Sequence, residues 1–117
     1  MAGTTIYGIP NCDTMRKARA WLDAAGIAYR FHDYRKDGVD PQRLQAWCDE
    51  AGWQTLLNRA GTTFRRLDDA EKAGLDETRA RALMLAHPAA IKRPVLEHGG
   101  ALLVGFDAGR YAALFGK

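Results

Sequence analysis

The sequence predicts an α/β fold: a strand, a helix and a strand, then a long helical insertion, then two strands and a closing helix. Three observations predict this order. A short apolar run at 4–9 directly precedes a stretch whose apolar residues have helical spacing. The pattern of residues 36–88 predicts helix almost throughout. Two further apolar runs flank Gly99-Gly100, a pair that is typical of a two-residue hairpin turn.

The first part of the chain predicts a parallel βαβ unit. The apolar run at 4–9 is the first strand, and Thr14–Ala25 is a helix with one apolar face that ends before Gly26. Alternating side chains over Tyr29–Tyr34, several of them aromatic, predict the second strand. The connection is long enough for the two strands to pair in parallel.

The helical insertion begins with a clear start signal. Asp40 is a predicted N-cap, Pro41 takes the first helical position, and Gly52 ends this helix. A helical turn over 53–57 and a loop over 58–63 follow. Helices are then predicted over Phe64–Gly74 and Asp76–His87, and His87-Pro88 ends the block.

The last part of the chain completes a known arrangement. We predict strands over Pro94–His98 and Ala101–Val104 and a helix over Asp107–Phe115. A parallel βαβ unit followed by ββα is the thioredoxin arrangement, and 117 residues suit one domain. The prediction is a single thioredoxin-like domain over 1–117, with its core at about 1–35 and 89–117 and a helical insert at about 36–88.

Composition and charge exclude several classes of function. The net charge is +3, the two signs of charge are interspersed, and the short basic pairs lack a base-reading motif. We therefore expect a small anionic substrate and no nucleic acid. Apolar runs are far shorter than the roughly 20 residues of a membrane helix, and we see no signal peptide, so we expect a cytoplasmic protein without a membrane partner. The histidines and cysteines lack zinc-site spacing, so we expect no metal.

Cys12 is the candidate nucleophile. It lies in Asn11-Cys12-Asp13-Thr14, between the first strand and the first helix. Free backbone N–H groups and the helix dipole at such a position stabilise a thiolate and lower the pKa of the thiol. The Thr14 hydroxyl could donate to the sulfur or cap the helix, and the charge of Asp13 opposes ionisation of the sulfur. The alternative is an unreactive buried cysteine near a turn.

The chain lacks a C-x-x-C pair, because Met15 stands three residues after Cys12. An oxidised Cys12 would need an external thiol or Cys48 to release it. Cys48 falls in the middle of a predicted helix beside Trp47, and we interpret it as a core residue. The source of the second thiol therefore stays open at this point.

Arg93 and Pro94 lead into the third strand, and in a thioredoxin topology this junction faces the reactive cysteine. A proline at the start of a strand can be cis, which lets a ligand approach the backbone closely. Arg93 would stabilise both the thiolate and an anionic substrate. The alternative is a surface arginine. Arg59, in the loop after Leu56-Leu57, is a weaker candidate for the same role.

Four segments, in this order, resemble the arsenate reductase (ArsC)/Spx-like family: I-Y-G-I-P-N-C-D-T-M-R-K-A, G-I-A-Y-R-F-H-D-Y-R-K-D-G, L-L-N-R-A-G-T-T-F-R-R-L and H-P-A-A-I-K-R-P-V-L. The resemblance spans nearly the whole chain. It is strongest to a subgroup of small bacterial glutathione-dependent thiol reductase-like (YffB-type) proteins. It implies a thioredoxin-like fold with an inserted helical subdomain.

The resemblance also implies roles for individual residues. Cys12 matches the catalytic cysteine, Arg93 the arginine of the R-P motif and Pro94 its cis proline. Arg59 lies within one position of an oxyanion-binding arginine in the insert, a place that could equally fall on Asn58. The predicted substrate- or glutathione-binding residues are Asn11, Thr14, Arg59, Arg93 and Pro94.

The chain departs from glutaredoxin-coupled arsenate reductases at two positions. Gly8 stands where they carry a histidine, and Gly105 stands where they carry an arginine after the fourth strand. Arg110 comes one helical turn later and is a possible substitute. Arsenate is a small charged anion that needs several hydrogen-bond donors. The lack of the histidine and the arginine therefore weakens the prediction that this protein reduces arsenate. Met15 likewise breaks the C-x-x-C motif of Spx-type redox regulators.

We therefore predict a cytoplasmic, monomeric thiol reductase. Its Cys12 thiolate would attack a glutathione mixed disulfide, and glutathione or a glutaredoxin would release it. Glutathione is consumed as a co-substrate, and no bound cofactor is expected. The alternatives are an arsenate reductase with the same nucleophile, and an Spx-like regulatory protein that docks on RNA polymerase. A retained scaffold with an inert Cys12 is a further possibility.

Overall fold

The computed structural model describes residues 3–117, and it has the predicted α/β fold. Met1 and Ala2, which the prediction includes in the core, lie outside the described residues. No helix in the described part is long and apolar enough to cross a membrane. Four strands form one sheet in the order β2-β1-β3-β4. The strands are β1 (Thr4–Gly8), β2 (Arg30–Asp33), β3 (Val95–His98) and β4 (Ala101–Val104).

The strand pairing confirms the thioredoxin-like arrangement. β1 pairs in parallel with β2 and antiparallel with β3, and β3 pairs antiparallel with β4. Helix α1 (Asp13–Ala24) connects β1 to β2, and the last helix closes the chain over Ala108–Phe115. Because β1 and β3 run in opposite directions, the end of β1 and the start of β3 meet at the same edge of the sheet. Cys12 follows β1 and Arg93 precedes β3, so both residues lie at this edge.

Between β2 and β3 the described chain is almost wholly helical, as predicted. The helices are α2 (Tyr34–Asp37), α3 (Pro41–Ala51), α4 (Trp53–Leu56), α5 (Thr62–Arg65), α6 (Asp69–Lys72), α7 (Glu77–Ala86) and a 3-10 turn (Pro88–Ala90); the closing helix is α8 (Ala108–Phe115). Asp40 caps α3 by accepting from the Gln42 N–H at 3.1 Å. Gly52 ends that helix with φ +87, a conformation that favours glycine.

Two predictions about this region are wrong in detail. The helix predicted over Phe64–Gly74 is instead the two short helices α5 and α6. The Asp68 carboxylate accepts from the Glu71 N–H at 2.8 Å, so it starts a new helix where the earlier one would have continued. Tyr34 was predicted as the end of a strand, but the Asp33 carboxylate accepts from the Arg35 N–H at 2.9 Å and begins α2 there.

The sheet separates two apolar clusters, because successive residues of a strand point to opposite faces. Ile6 and Leu96 pack on one face with α1 and α8, in a cluster that also contains Met15 and Tyr111 and that partly buries Cys12. Tyr7 and Val95 pack on the other face with the helical insertion, in a cluster that contains Tyr34, Leu44, Trp47, Cys48, Leu56, Met84 and Ile91 among others. The insertion therefore packs on one face of the sheet, and α1 and α8 pack on the other.

Glu97 joins the insertion to the sheet. Its carboxylate accepts from the Tyr7 hydroxyl at 2.7 Å and from Arg43 Nη1 at 2.6 Å, and its second oxygen accepts from Trp47 Nε1 at 2.8 Å. Partial burial alone would raise the pKa of Glu97, but hydrogen bonds from Trp47, Tyr7 and Arg43 outweigh it and hold the pKa below its ordinary value. Glu97 therefore fixes α3 on the sheet.

We expect Glu97→Ala to lower the free energy of unfolding by about 2 to 4 kcal/mol, because the Tyr7 hydroxyl and the Trp47 N–H lose their acceptor. Urea denaturation measures this difference. Glu50→Ala is the matched control, since Glu50 is an exposed carboxylate on α3, and it should change stability by less than about 0.5 kcal/mol. Equal losses in the two variants would contradict a structural role for the Glu97 network.

The same network predicts a pH dependence of stability. The pKa of Glu97 is lower in the folded chain than in the unfolded chain. Its contribution to stability is therefore complete above the unfolded pKa and is lost as the pH falls through the folded pKa. The difference in stability between the natural chain and Glu97→Ala should accordingly shrink in acid.

Candidate active site

Cys12 lies at the N-cap position of α1, as the sequence predicts. Its backbone is extended, with φ −131 and ψ 130, and its carbonyl accepts the first helical hydrogen bond from the Arg16 N–H at 3.0 Å. The side chain is half-buried and forms no regular capping hydrogen bond. Its sulfur instead faces the N–H groups of the first helical turn, where the partial positive charge of a helix is concentrated.

The surroundings of Cys12 favour its thiolate. Burial raises the pKa of the thiol, but this effect is outweighed by hydrogen bonding from the Met15 N–H, the Arg93 guanidinium and the Thr14 N–H, together with the positive charge of Arg93. The pKa of Cys12 is therefore lower than that of an ordinary cysteine. At a given pH, more of Cys12 is therefore present as the nucleophilic thiolate than of an ordinary cysteine.

Arg93 and Pro94 meet Cys12 as the thioredoxin topology predicts. The Arg93–Pro94 peptide bond is cis, and Pro94 is fully buried. The Arg93 side chain is half-buried, and its Nη1 donates to the Ala89 carbonyl at 2.8 Å. Arg93 is thus held by the 3-10 turn beside the sulfur and is not a freely exposed surface arginine.

Asn11 and Thr14 flank Cys12, and both are exposed. The Thr14 group that lowers the pKa of Cys12 is the backbone N–H rather than the predicted hydroxyl. Asp13 forms an ion pair with Arg16 one helical turn later, which balances the negative charge beside the sulfur. Binding of a substrate by the Asn11 and Thr14 side chains stays a prediction.

Arg59 is exposed and stacks on an aromatic ring of the insertion. Its guanidinium carbon lies 5.2 Å from the centre of the Trp53 ring. Within residues 3–117, no hydrogen bond or ion pair joins Arg59 to Cys12 or Arg93. Its loop is nevertheless tied to the segment before Arg93, because the Asn58 N–H donates to the Ala90 carbonyl at 2.8 Å. A role for Arg59 in substrate binding stays a prediction.

The Met15 side chain packs directly against Gly8. A Cβ atom added at Gly8 would lie 2.9 Å from Met15 Cε and closer still to the Met15 sulfur, and Met15 is fully buried. Met15 therefore fills the space that a side chain at position 8 would need. A histidine at position 8 would therefore require the buried Met15 side chain to move.

Gly105 follows β4 with φ +80, a conformation in which an arginine would be strained. Its N–H donates to the Pro94 carbonyl at 2.8 Å, so this turn borders the active site. Two cations lie near it. The Arg110 Nη1 lies 3.4 Å from the Val104 carbonyl, and the Lys92 side chain passes 3.9 Å from where a Cβ of Gly105 would be.

Cys48 cannot serve as the partner of Cys12 in the folded chain. It is 3% exposed within the cluster on the insertion face, whereas Cys12 packs on the opposite face of the sheet. Burial, with a smaller effect of Glu77, raises the pKa of the Cys48 thiol. Both cysteines are free in the structure. The interpretation of Cys48 as a core residue is confirmed.

The part of the chain that the structure describes gathers no group of three or more His, Cys, Asp and Glu side chains that could hold a metal. The site is therefore one half-buried thiol, one arginine and a set of backbone N–H groups. This combination suits nucleophilic attack by sulfur on an electrophilic centre that carries negative charge nearby.

The family profile described as the ArsC family matches residues 7–114, which include every site residue described above. The chain belongs to the ArsC family. This confirms the resemblance carried by the Asn11-Cys12-Asp13-Thr14 and Arg93-Pro94 segments.

Solved structures show the same fold in ArsC-family relatives. A structure described as the YFFB protein is 62% identical, with a TM-score of 0.92, covering 94% of this chain and 96% of that one. An arsenate reductase (ArsC) related protein from Brucella melitensis is 53% identical, with a TM-score of 0.77, covering 97% and 94% respectively. An uncharacterized protein of Haemophilus influenzae is 42% identical over 95% of this chain and 97% of its own length.

A more distant relative carries a regulatory name. The global transcriptional regulator Spx of Enterococcus faecalis is 26% identical over 88% of this ArsC-family chain and 79% of its own length. The sequence predicted Cys12, Arg93 and a role for the free N–H groups of the helix start, and the structure identifies these groups as the N–H groups of Thr14 and Met15. An N-cap side chain meets the N–H groups two and three residues on.

Proposed function

We propose that this ArsC-family protein is a thiol reductase whose Cys12 thiolate attacks a glutathione mixed disulfide. The observation that carries the proposal is the pairing of Cys12 with Arg93 at the start of α1, where the pKa of the thiol is lowered. A thiolate of this kind attacks disulfides, and a fixed guanidinium suits a substrate with carboxylate groups. The 53% identical relative named as arsenate reductase related supports reductase chemistry.

The proposed reaction has two exchange steps. The Cys12 thiolate attacks the glutathione sulfur of the mixed disulfide, the disulfide bond breaks, and the substrate thiolate leaves and takes up a proton. A second glutathione, as its thiolate, then attacks the Cys12–glutathione disulfide. This step releases glutathione disulfide and restores the Cys12 thiolate. The net reaction consumes one mixed disulfide and one glutathione and yields one thiol and one glutathione disulfide.

An external thiol is required by this scheme, and the fold supports that requirement. Met15 occupies the position of a second cysteine, and Cys48 is buried on the other face of the sheet. Glutathione is the proposed donor, and a glutaredoxin could replace it in the second step. Two free cysteines suit a reducing compartment, so the cytoplasm stays the proposed location.

Arsenate reduction is the second candidate, because a 53% identical protein bears that family description. The same nucleophile would attack arsenic in place of sulfur. Two features speak against it as the main activity. Met15 fills the space beside Gly8, and Gly105 has a backbone conformation that disfavours an arginine. Arsenate would therefore rely on Arg93 and on the exposed side chains of Lys92 and Arg110.

The test is a glutathione-coupled assay with a mixed disulfide of glutathione and, in parallel, with arsenate. We expect turnover of the disulfide and at least about tenfold lower kcat/KM for arsenate, because fewer fixed donors face the arsenate oxygens. Oxidation of glutathione, followed through glutathione reductase and NADPH, measures both rates. The substitution controls for this assay are described in the Discussion.

The opposite outcomes each point to another function. Faster turnover of arsenate would favour the second candidate. Turnover of neither substrate, with normal folding, would contradict a reductase. It would favour the regulatory alternative suggested by the Spx relative, which a search for bound RNA polymerase subunits would then test.

A further inference from the structure

Two buried polar atoms without a hydrogen-bond partner belong to Arg93 itself and to Tyr34. Within residues 3–117, neither the Tyr34 hydroxyl nor Arg93 Nε has a partner. The Tyr34 side chain is 1% exposed, and Arg93 is half-buried. A buried polar group without a partner destabilises the fold, so each of these two atoms requires an explanation.

Both side chains pack around the same short segment. Helix α2, which carries Tyr34, packs against the 3-10 turn Pro88–Ala90. Arg93 Nη1 donates to the carbonyl of Ala89 in that turn at 2.8 Å. Burial raises the pKa of Tyr34, and the positive charge of Arg93 acts on the same hydroxyl in the opposite direction. The charge of Arg93 therefore acts at the Tyr34 hydroxyl, whose oxygen can accept a hydrogen bond, and the Arg93 Nε–H is a donor without an acceptor.

We propose that Tyr34 is a positioning residue whose hydroxyl oxygen accepts from Arg93 Nε and holds the guanidinium against the Cys12 sulfur. The bond would form directly after a small rotation of the Arg93 side chain, or through one bridging water. Hydrogen bonds to both the Ala89 carbonyl and the Tyr34 hydroxyl would prevent the guanidinium from rotating away from the sulfur. The inference rests on the proposed role of Cys12 as the nucleophile.

The charges around Tyr34 suit this role. Besides Arg93, the groups that act on its hydroxyl are Tyr7 and Glu97, and both raise its pKa further. Tyr34 therefore stays protonated at every pH at which the enzyme would work. A neutral hydroxyl can accept from Arg93 without neutralising its charge, so the full charge of Arg93 remains available to the thiolate. A carboxylate at this position would compete with the thiolate for Arg93.

The test is Tyr34→Phe, measured by the rate of iodoacetamide alkylation against pH in a Cys48→Ser chain, so that only Cys12 reacts. We expect an alkylation rate about threefold lower at pH 6.5, which corresponds to a rise of about half a unit in the pKa of Cys12. Tyr111→Phe is the matched control. The Tyr111 hydroxyl is also buried without a partner in the described structure, and it lies in the cluster that packs on Cys12, but Arg93 is not among the groups that act on its pKa. It therefore controls for the loss of a buried hydroxyl on the side of the sheet where Cys12 lies.

A second variant distinguishes positioning from general loosening. In an Arg93→Ala background, Tyr34→Phe should change the alkylation rate by less than about 1.5-fold, since a residue that acts through Arg93 has nothing left to hold. An unchanged profile for Tyr34→Phe would overturn the proposal. Equal effects of Tyr34→Phe and Tyr111→Phe, or an undiminished effect without Arg93, would overturn it as well. Alkylation needs no glutathione, so the result is independent of whether the reductase activity is found.

Discussion

Cys12→Ser should abolish glutathione-coupled turnover of the mixed disulfide, with a loss in kcat of at least about 10³-fold. The reason is that a serine hydroxyl at this position remains protonated at neutral pH, whereas the pKa of the Cys12 thiol is lowered by the Met15 and Thr14 N–H groups and by Arg93. The exchange reaction also needs a sulfur that can form and break a disulfide. Turnover at saturating glutathione measures the effect.

Cys48→Ser is the matched control for this prediction, because it removes the second thiol of the chain. Cys48 is buried in the cluster on the insertion face, so we expect a loss of stability and little change in kcat for the folded fraction. If Cys48→Ser lost turnover as completely as Cys12→Ser while remaining folded, an external thiol would no longer suffice to complete the reaction. If Cys12→Ser kept its turnover, the nucleophile would have to be another group.

The two members of the proposed catalytic pair, Cys12 and Arg93, differ in how far the sequence could predict their positions. Cys12 was predictable because a strand, a Pro-Asn turn and a helix start are all signalled by neighbouring residues. The place of Arg93 was predictable only through the topology, which brings the start of β3 to the end of β1. Once the parallel βαβ unit and the hairpin were recognised, this meeting followed from strand direction alone.

The features that sequence reasoning missed depend on contacts between separate elements. The close packing of Gly8 on Met15 joins a strand to a helix, and neither residue signals it locally. The break between α5 and α6 depends on whether Asp68 caps a new helix or lies within an old one, and the Phe64–Gly74 pattern is compatible with both. Tyr34 continued an alternating pattern, and only the Asp33 cap shows that the strand had ended.

These contacts also explain why the site uses one cysteine. A second thiol at position 15 would be smaller than methionine and would leave a cavity beside Gly8, which the core would have to refill. Methionine adapts to such irregular spaces, and here it fills the space below the first helical turn. The part of the helix start that meets the Cys12 sulfur is therefore backbone, and among the described residues the side-chain cation that acts on the sulfur is Arg93.

Arg93→Ala should lower kcat/KM for the mixed disulfide by about 10² to 10³-fold, the usual cost of removing one fixed donor from an anionic reaction centre. Two effects combine. The pKa of Cys12 rises toward that of an ordinary cysteine when the guanidinium is removed, so less thiolate is present at neutral pH. The substrate also loses a partner for its negative charge. Arg93→Lys should recover only part of the rate, since an ammonium lacks the fork that reaches both Ala89 and the sulfur.

The pH dependence gives the sharper measurement. Because the pKa of Cys12 is lowered in the natural chain, its alkylation should remain fast at pH values where an ordinary thiol is protonated, and Arg93→Ala should lose that advantage as the pH falls. Lys92→Ala removes the same charge from the adjacent, exposed residue and should change the rate by less than about threefold. If the two alanine variants shifted the profile equally, general charge would explain the lowered pKa. A profile for Arg93→Ala that coincides with the natural one would show that Arg93 does not act on the thiolate.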